Sequence, residues 1–222
     1  MKRFGLHIVV AACAGLVAPM LAQAQDLSHS QEWPRAFVHL GLADVDLDDK
    51  GLIYAAGTPQ VGATYSTNNT TPLVIEAGYF LTQTLAVQGS ISSREVSQNT
   101  PHGTFQGDPD LGNDGFHVAT LTLVCHPLRG QRVSPYFGLG AGFHLADGFH
   151  DGLVTDFRVK DTSGLALQAG AEMKVTRHFG LYVDLKKLFY SAKASGEIGT
   201  VPVTSAARLD PVIIQGGVSF AF

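Results

Sequence analysis

The sequence predicts an all-β protein, an eight-stranded antiparallel transmembrane β-barrel with short periplasmic turns and four long extracellular loops. Three observations support this fold class. Eight segments alternate apolar with small or polar residues at the two-residue period of a strand. The connections between them are alternately long and short, as in bacterial outer-membrane barrels. A leader with the features of a secretory signal peptide precedes all eight segments.

The eight predicted strands are residues 35–45, 73–80, 85–93, 116–125, 133–145, 165–175, 179–190 and 209–222. No apolar run after the leader is long enough for a membrane-spanning helix, which needs about 20 residues. A closed barrel is then the arrangement that satisfies every backbone hydrogen bond in hydrocarbon. Eight strands leave room inside only for side chains or one small ligand, so we do not expect a wide aqueous pore.

Composition agrees with a membrane barrel. Charged residues make up 15% of the 222 residues, apolar residues 45%, and there are 25 glycines. Average soluble chains are about 25% charged. The formal net charge is −4 at pH 7, and no cluster of basic residues appears, so a nucleic-acid partner is not expected. Cys13 lies in the leader, and Cys125 alone forms neither an internal disulfide nor a zinc site.

The first 24 residues are predicted to be a signal peptide. Lys2 and Arg3 precede an apolar run from Phe4 to Leu21, and Ala22–Ala24 forms a small-x-small cleavage site. We therefore expect export, with cleavage near Ala24.

The leader allows one alternative, and the rest of the chain is divided accordingly. Val10–Cys13 resembles a lipoprotein cleavage box, but the apolar segment before Cys13 is short for that purpose. With cleavage near Ala24, residues 25–34 form a periplasmic spacer and residues 35–222 form the outer-membrane barrel.

Five stretches resemble the OmpW family of small outer-membrane barrels: RAFVHLGLADVDLDD, AGYFLTQTLAVQGSIS, SPYFGLGAGF, GLALQAGAEMKVTRHFGLYVDLKKLFY and LDPVIIQGGVSFAF. Together they cover most of the chain after the leader. Where the family often has a proline-rich start to strand four, this chain has Gly115–Val118.

The resemblance implies an outer-membrane protein of a Gram-negative bacterium that admits small hydrophobic molecules. In that family, a narrow apolar channel inside the barrel is thought to open sideways to the bilayer. Its partners would be outer-membrane lipid, small hydrophobic solutes and the outer-membrane assembly machinery. By the same resemblance, the terminal Val218, Phe220 and Phe222 match the signal that this machinery reads.

Seven inward positions are polar or charged by the alternation: Glu76, Gln88, Glu172, Lys174, Asp184, Lys186 and Gln215. Buried charges need partners, so we expect ion pairs across neighbouring strands, with Glu172 and Lys174 on one strand and Asp184 and Lys186 on the next. The set is interpreted as an interior polar plug; a proton path is the less favoured interpretation.

Large apolar residues at inward or loop positions are candidates for lining a hydrophobic passage: Phe37, Leu52, Ile53, Phe105, Phe149 and Phe157. Such residues in polar loops need burial, and the barrel mouth offers it. Ordinary loop packing is the alternative.

Two other classes of function remain open. One is a non-transporting structural or surface-recognition barrel. The other is a lipid-modifying hydrolase that uses Ser90 or Ser92 with His144, but no nucleophile motif supports it, so the chain is not expected to be an enzyme. We expect His39, His117 and His144 to be core residues rather than metal ligands. The acidic stretch 44–49 lacks the glycine and closing glutamate of a calcium loop, and no cofactor is predicted.

Overall fold

The computed structural model describes residues 33–46, 51–55, 57–67, 69–103, 111–208 and 210–222. The predicted signal peptide and most of the predicted spacer lie outside these ranges and stay predictions. Residues 35–222 form one compact unit. No helix among the described residues is long and apolar enough to span a membrane.

The strands are β1 (Ala36–Asp46), β2 (Gly51–Ala55), β3 (Thr58–Thr67), β4 (Leu73–Phe80), β5 (Leu85–Ser92), β6 (Glu95–Gly103), β7 (Gly112–Cys125), β8 (Val133–Asp151), β9 (Thr155–Val159), β10 (Thr162–Lys174), β11 (Phe179–Phe189), β12 (Ser191–Ile198), β13 (Val201–Arg208) and β14 (Val212–Ala221).

Eight of these strands close into an antiparallel barrel, which confirms the predicted fold class. The ring runs β1, β4, β5, β7, β8, β10, β11, β14 and returns to β1. Its last joint is held by reciprocal backbone hydrogen bonds of 2.9 Å between Ala36 and Phe222. The end of the chain therefore completes the barrel wall, as the alternation of the last strand predicts.

The four long connections are largely strand rather than irregular loop. They hold β2, β3, β6, β9, β12 and β13, which pair in the order β6, β3, β2, β13, β12, β9. β6 also pairs with the outer end of β7, so this extension continues the barrel wall beyond the membrane. β3 and β12 consist mostly of small and polar residues, and their sequences therefore lack the apolar face that identifies a strand.

Two periplasmic hairpins use the same turn. Thr82 Oγ1 accepts a hydrogen bond of 3.0 Å from the backbone N–H of Leu85, and Thr176 Oγ1 accepts one of 3.0 Å from Phe179. A threonine hydroxyl thus replaces a missing ladder partner in both turns. Short turns of this kind bring consecutive strands together in register.

The outside of the barrel carries a belt of exposed apolar side chains. Examples from around the ring are Leu42, Ile75, Leu121, Leu139, Val183, Leu185, Ile214 and Phe220. Their neighbours in sequence point inward and are buried or half-buried, and β11 shows the strictest alternation. In an outer-membrane barrel this belt faces lipid hydrocarbon.

Candidate functional site

The barrel interior is divided along its axis into layers of different chemistry. On β4, the inward side chains change from Phe80 near the periplasm to Glu76 at mid-height and then to Val74. On β11, Asp184 and Lys186 are likewise followed by the apolar Leu188. We name these levels the periplasmic layer, the polar layer and the outer apolar layer.

The periplasmic layer consists of Phe37, Phe80, Ala86 and His126. The rings of Phe37 and Phe80 lie 5.4 Å apart, and the Arg129 guanidinium lies 3.3 Å over the Phe80 ring. Phe37 also fills the space above Gly78, where any Cβ would come within 2.1 Å of its ring. Packed aromatic rings therefore occupy the periplasmic end of the lumen.

His126 is held in this layer as a neutral ring. It is buried, and its ring stacks on Tyr136 at 4.8 Å. Burial, assisted by the positive charges of Arg129 and Lys174, lowers the pKa of His126 from 6.5 to about 3. Protonation of this turn residue would place an additional charge among aromatic rings. We therefore expect the folded barrel to be more stable at neutral or alkaline pH than at acidic pH.

The polar layer is centred on the Glu76 carboxylate. It accepts hydrogen bonds from Gln88 Nε2 and Gln215 Nε2 at 2.8 Å each, and lies 3.0 Å from His39 Nδ1. The Lys186 ammonium donates to its other side and forms an ion pair with it. Five barrel strands thus converge on one buried carboxylate.

Asp184 extends the polar layer across the lumen. Its Oδ2 accepts from Tyr136 at 2.7 Å and from Gln168 Nε2 at 2.5 Å, and its Oδ1 lies 3.6 Å from Lys186 Nζ. Thr122 donates to Gln168 Oε1 at 2.9 Å. Side-chain contacts therefore cross the barrel from β7 through β10 and β11 to β4.

The other two members of the predicted plug lie nearer the periplasmic rim. Glu172 accepts a 2.7 Å hydrogen bond from Ser219, and Lys174 donates to the backbone oxygen of Arg129. Lys186 forms ion pairs with Glu76 across the lumen and with Asp184 on its own strand. The seven predicted residues therefore fall into two groups rather than one continuous plug.

The outer apolar layer lies on the extracellular side of the polar layer. It consists of Ala43, Val45, Val74, Phe116, Val118, Ala166, Leu188, Tyr190 and Ile213. Farther out, Leu111, Val154, Phe157 and Val203 form a second buried group, the extracellular cluster, with Phe149 packed against it.

The structure does not bring the predicted passage residues together. Phe149 and Phe157 contribute to the extracellular cluster, whereas Phe37 lies in the periplasmic layer on the other side of the polar layer. Leu52 and Ile53 belong to β2, but their side chains are not described, and Phe105 lies outside the described residues. The terminal Val218, Phe220 and Phe222 are exposed on the lipid-facing side.

The barrel wall has an interruption at the level of the outer apolar layer. β5 pairs with β7 as far as Ile91 opposite Ala119, and pairing of β6 with β7 resumes at Glu95 opposite Phe116. Between these points the three residues 92–94 face only His117 and Val118. We call this interruption the wall gap.

Ser92 bridges the wall gap in place of the backbone ladder. Its Oγ accepts a 2.8 Å hydrogen bond from the Val118 N–H, and its carbonyl oxygen lies 3.0 Å from His117 Nδ1. Phe116 and Val118 border the gap and both belong to the outer apolar layer. The part of the β5–β7 and β6–β7 pairing that lacks backbone ladder bonds therefore lies next to the outer apolar layer.

An ion pair closes the outer edge of the wall gap. Arg94 donates to the Asp147 carbonyl oxygen at 2.8 Å, and its Nε lies 3.2 Å from the Asp147 carboxylate. The guanidinium packs over Gly115, where a Cβ would come within 2.1 Å of Arg94 Nη2. The contact between Arg94 and Asp147 was not identified from the sequence. The signal for it in the sequence is Gly115, which leaves space for the Arg94 guanidinium.

The residues considered for a hydrolase have other contacts. Ser90 Oγ lies 2.6 Å from Thr120 Oγ1, and Ser92 contacts β7 as described. The His144 ring stacks on Phe116 at 4.8 Å. Among the described residues, no group of three or more His, Cys, Asp or Glu is placed to hold a metal ion.

Comparison with known protein sequences identifies one family and several relatives. The sequence profile of the OmpW family matches residues 35–222. The outer membrane protein AlkL of Ectopseudomonas oleovorans is 26% identical over 181 residues, which cover 79% of this chain and 76% of that protein. The dibenzothiophene metabolism operon protein PahQ of Pseudomonas aeruginosa is 25% identical over 199 residues, covering 89% and 92%.

Solved structures share the fold. The outer membrane protein OprG from Pseudomonas aeruginosa superposes with a TM-score of 0.80 at 21% identity, covering 86% of this chain and 97% of that one. The structure of AlkL in lipid bilayers gives a TM-score of 0.68 at 23% identity, covering 88% and 93%.

Proposed function

The chain belongs to the OmpW family of outer-membrane proteins, and from that premise we propose that it admits small hydrophobic molecules through the outer half of its barrel and releases them sideways into the membrane. The observation that carries this proposal is the position of the wall gap beside the outer apolar layer.

The polar layer supports a sideways rather than a straight route. An apolar solute moving toward the periplasm would have to separate Lys186 from Glu76 and Asp184. Leaving such buried charges without partners costs roughly 3–5 kcal/mol per broken pair. The aromatic rings of the periplasmic layer would then have to move as well. An apolar solute therefore meets its largest barrier at mid-height.

The wall gap supports an exit above that barrier. There the strands are joined by the contacts of Ser92 with Val118 and His117, and by exposed contacts of Arg94 with Asp147 on β8, instead of a continuous ladder. Exposed ion pairs contribute only about 0–1 kcal/mol, so opening this joint requires less free energy than opening a regular one. A solute in the outer apolar layer would leave between Ser92–Arg94 and His117–Val118 directly into hydrocarbon.

The relatives indicate the class of solute. Two of them, PahQ and the DoxH protein of a Pseudomonas strain, are described as dibenzothiophene metabolism operon proteins. Dibenzothiophene is a flat, uncharged and apolar molecule. By this similarity we expect aromatic solutes of comparable size to be taken up.

Uptake into reconstituted vesicles tests the proposal. Vesicles with lipopolysaccharide in the outer leaflet are expected to take up labelled dibenzothiophene faster with the protein than without it. Val118→Trp, which fills the outer apolar layer at the gap, is expected to slow this uptake. The matched control is Leu123→Trp on the lipid-facing side of the same strand, where Leu123 is 47% exposed.

Either of two results would count against the proposal. One is uptake no faster than that of empty vesicles. The other is a Val118→Trp barrel that folds and transports as well as Leu123→Trp.

A surface-recognition barrel is the second candidate function. The observation that favours it is the paired extension formed by β2, β3, β6, β9, β12 and β13, which presents ordered strands to the exterior. A barrel of this class would bind an extracellular macromolecule and would show no protein-dependent solute uptake.

A further inference from the structure

We propose that the outer half of the barrel contains a hydroxyl-binding site formed by His144 and Asp114, so that hydrophobic alcohols and phenols are preferred over bare hydrocarbons and over carboxylates. This inference rests on the proposed function, because it specifies which hydrophobic molecules the passage selects.

His144 is a buried polar group with unused bonding capacity. It lies on the inner face of β8 and is 5% exposed. Within the part of the chain that the structure describes, neither of its ring nitrogens has a hydrogen-bond partner. Most buried polar groups in proteins are hydrogen-bonded, and leaving one unsatisfied costs free energy. A ligand that bonds to this ring would recover that free energy.

Asp114 provides a second polar atom beside the first. Its side chain is buried, and its Oδ2 lies 3.7 Å from His144 Nε2, which is longer than a hydrogen bond. One hydroxyl oxygen can lie within about 2.8 Å of both atoms. It would then accept from the imidazole N–H and donate to the carboxylate, as a hydroxyl group can do and a hydrocarbon cannot.

The surroundings of this pair are apolar and aromatic. The His144 ring stacks on Phe116 with an interplanar angle of 21°, and its centroid lies 6.2 Å from that of Tyr190. Both neighbours belong to the outer apolar layer. A solute would therefore place its apolar body among these rings and its hydroxyl group on His144 and Asp114.

The same geometry disfavours anionic solutes. A carboxylate at this position would lie next to the Asp114 carboxylate in a buried site, where repulsion between like charges is weakly screened. The site is therefore expected to select for neutral hydroxyl compounds rather than for hydrogen-bonding groups in general.

Binding of three matched compounds to the full barrel in nanodiscs tests the inference. The probes are 2-naphthol, naphthalene and 2-naphthoate, with signals corrected for partition into empty nanodiscs. We expect 2-naphthol to bind about 3–10-fold more tightly than naphthalene, as one net hydrogen bond predicts, and 2-naphthoate to bind most weakly.

Three variants isolate the polar pair. His144→Phe keeps an aromatic ring for stacking and removes both nitrogens, so the preference for 2-naphthol should disappear while naphthalene binding stays the same. His144→Gln should restore part of the preference. Asp114→Asn should improve 2-naphthoate binding. The control is His178→Leu, an exposed change in a periplasmic turn, which should leave all three affinities unchanged.

The outcomes separate this inference from the proposed function. Equal binding of 2-naphthol and naphthalene by the native barrel overturns the inference and leaves hydrophobic uptake intact. A folded His144→Phe barrel that still prefers 2-naphthol does the same. Absence of specific binding for both compounds, together with no vesicle uptake, overturns both.

Discussion

Two levels of one barrel wall carry opposite chemistry at inward positions of the same strands. At the polar layer, β4, β5, β11 and β14 contribute Glu76, Gln88, Lys186 and Gln215, and the backbone ladder around them is regular. At the outer apolar layer the inward residues are aliphatic and aromatic, and the ladder between β5 and β7 is interrupted. This difference underlies the proposal that the barrel stays closed at mid-height and opens in its outer half.

Substitution of Glu76 is expected to have the largest effect, because it removes the centre of the polar layer. Glu76→Ala leaves Lys186 buried beside Asp184 alone and removes the acceptor for Gln88 and Gln215. We expect a loss of about 3–5 kcal/mol in the free energy of unfolding, measured by urea titration of the barrel in lipid. Glu76→Gln, which keeps an acceptor of similar shape, should lose less. Equal stability of Glu76→Ala and the native barrel would show that the polar layer does not hold the barrel closed.

Gly115 tests the rim of the wall gap. A Cβ at this position would meet Arg94 Nη2 at 2.1 Å and the Asp147 carbonyl oxygen at 2.2 Å. Gly115→Ala is therefore expected to displace the Arg94 contact and to destabilise the barrel by about 1–3 kcal/mol. Gly89→Ala is the matched control, because its Cβ would meet nothing closer than 3.9 Å. The same thermal midpoint for the two variants would contradict this description of the rim.

His126 gives a smaller, pH-dependent effect at the periplasmic layer. Because its pKa is about 3 in the folded barrel and 6.5 for a free histidine side chain, its contribution is complete above pH 6.5 and is lost as the pH falls toward 3. Between pH 7 and pH 5.5 the loss should be roughly 1 kcal/mol. His126→Phe removes the titrating group, so its stability should fall less over this interval. Parallel pH profiles of the two proteins would mean that His126 is not held neutral.

Alternation was sufficient to predict the barrel because the residue types along each strand show which positions face the lumen and which face outward. It predicted that Glu76 and Lys186 both point inward, but not that they meet, since 110 positions separate them in the chain. Only closure of the ring brings β4 and β11 across the lumen from each other. Local sequence therefore predicts inward direction, and closure determines partners.

The wall gap and the extracellular extension of the barrel wall could not be predicted from apolar alternation. β3 and β12 are strands because they pair with neighbours, although their residues are mostly small or polar. The gap arises from a one-residue change in register between β5–β7 and β6–β7 pairing. A one-residue register change shifts the phase of the alternation, but β6 is mostly polar and has no apolar face that would show the shift. Ser92 and Arg94 were therefore not identified from the sequence.

A reversible cross-link across the wall gap tests the central claim of sideways release most directly. In a C125A background, S93C with H117C would join the two strands inside the gap, between the pair Ile91–Ala119 and the pair Glu95–Phe116. The control pair, I91C with A119C, joins the same strands at their last regular position. Both proteins would be oxidised, reconstituted and assayed for dibenzothiophene uptake, then reduced and assayed again. We predict that oxidation abolishes most protein-dependent uptake only for the gap pair and that reduction restores it. Equal uptake by the oxidised gap pair and the oxidised control pair would contradict release through the wall.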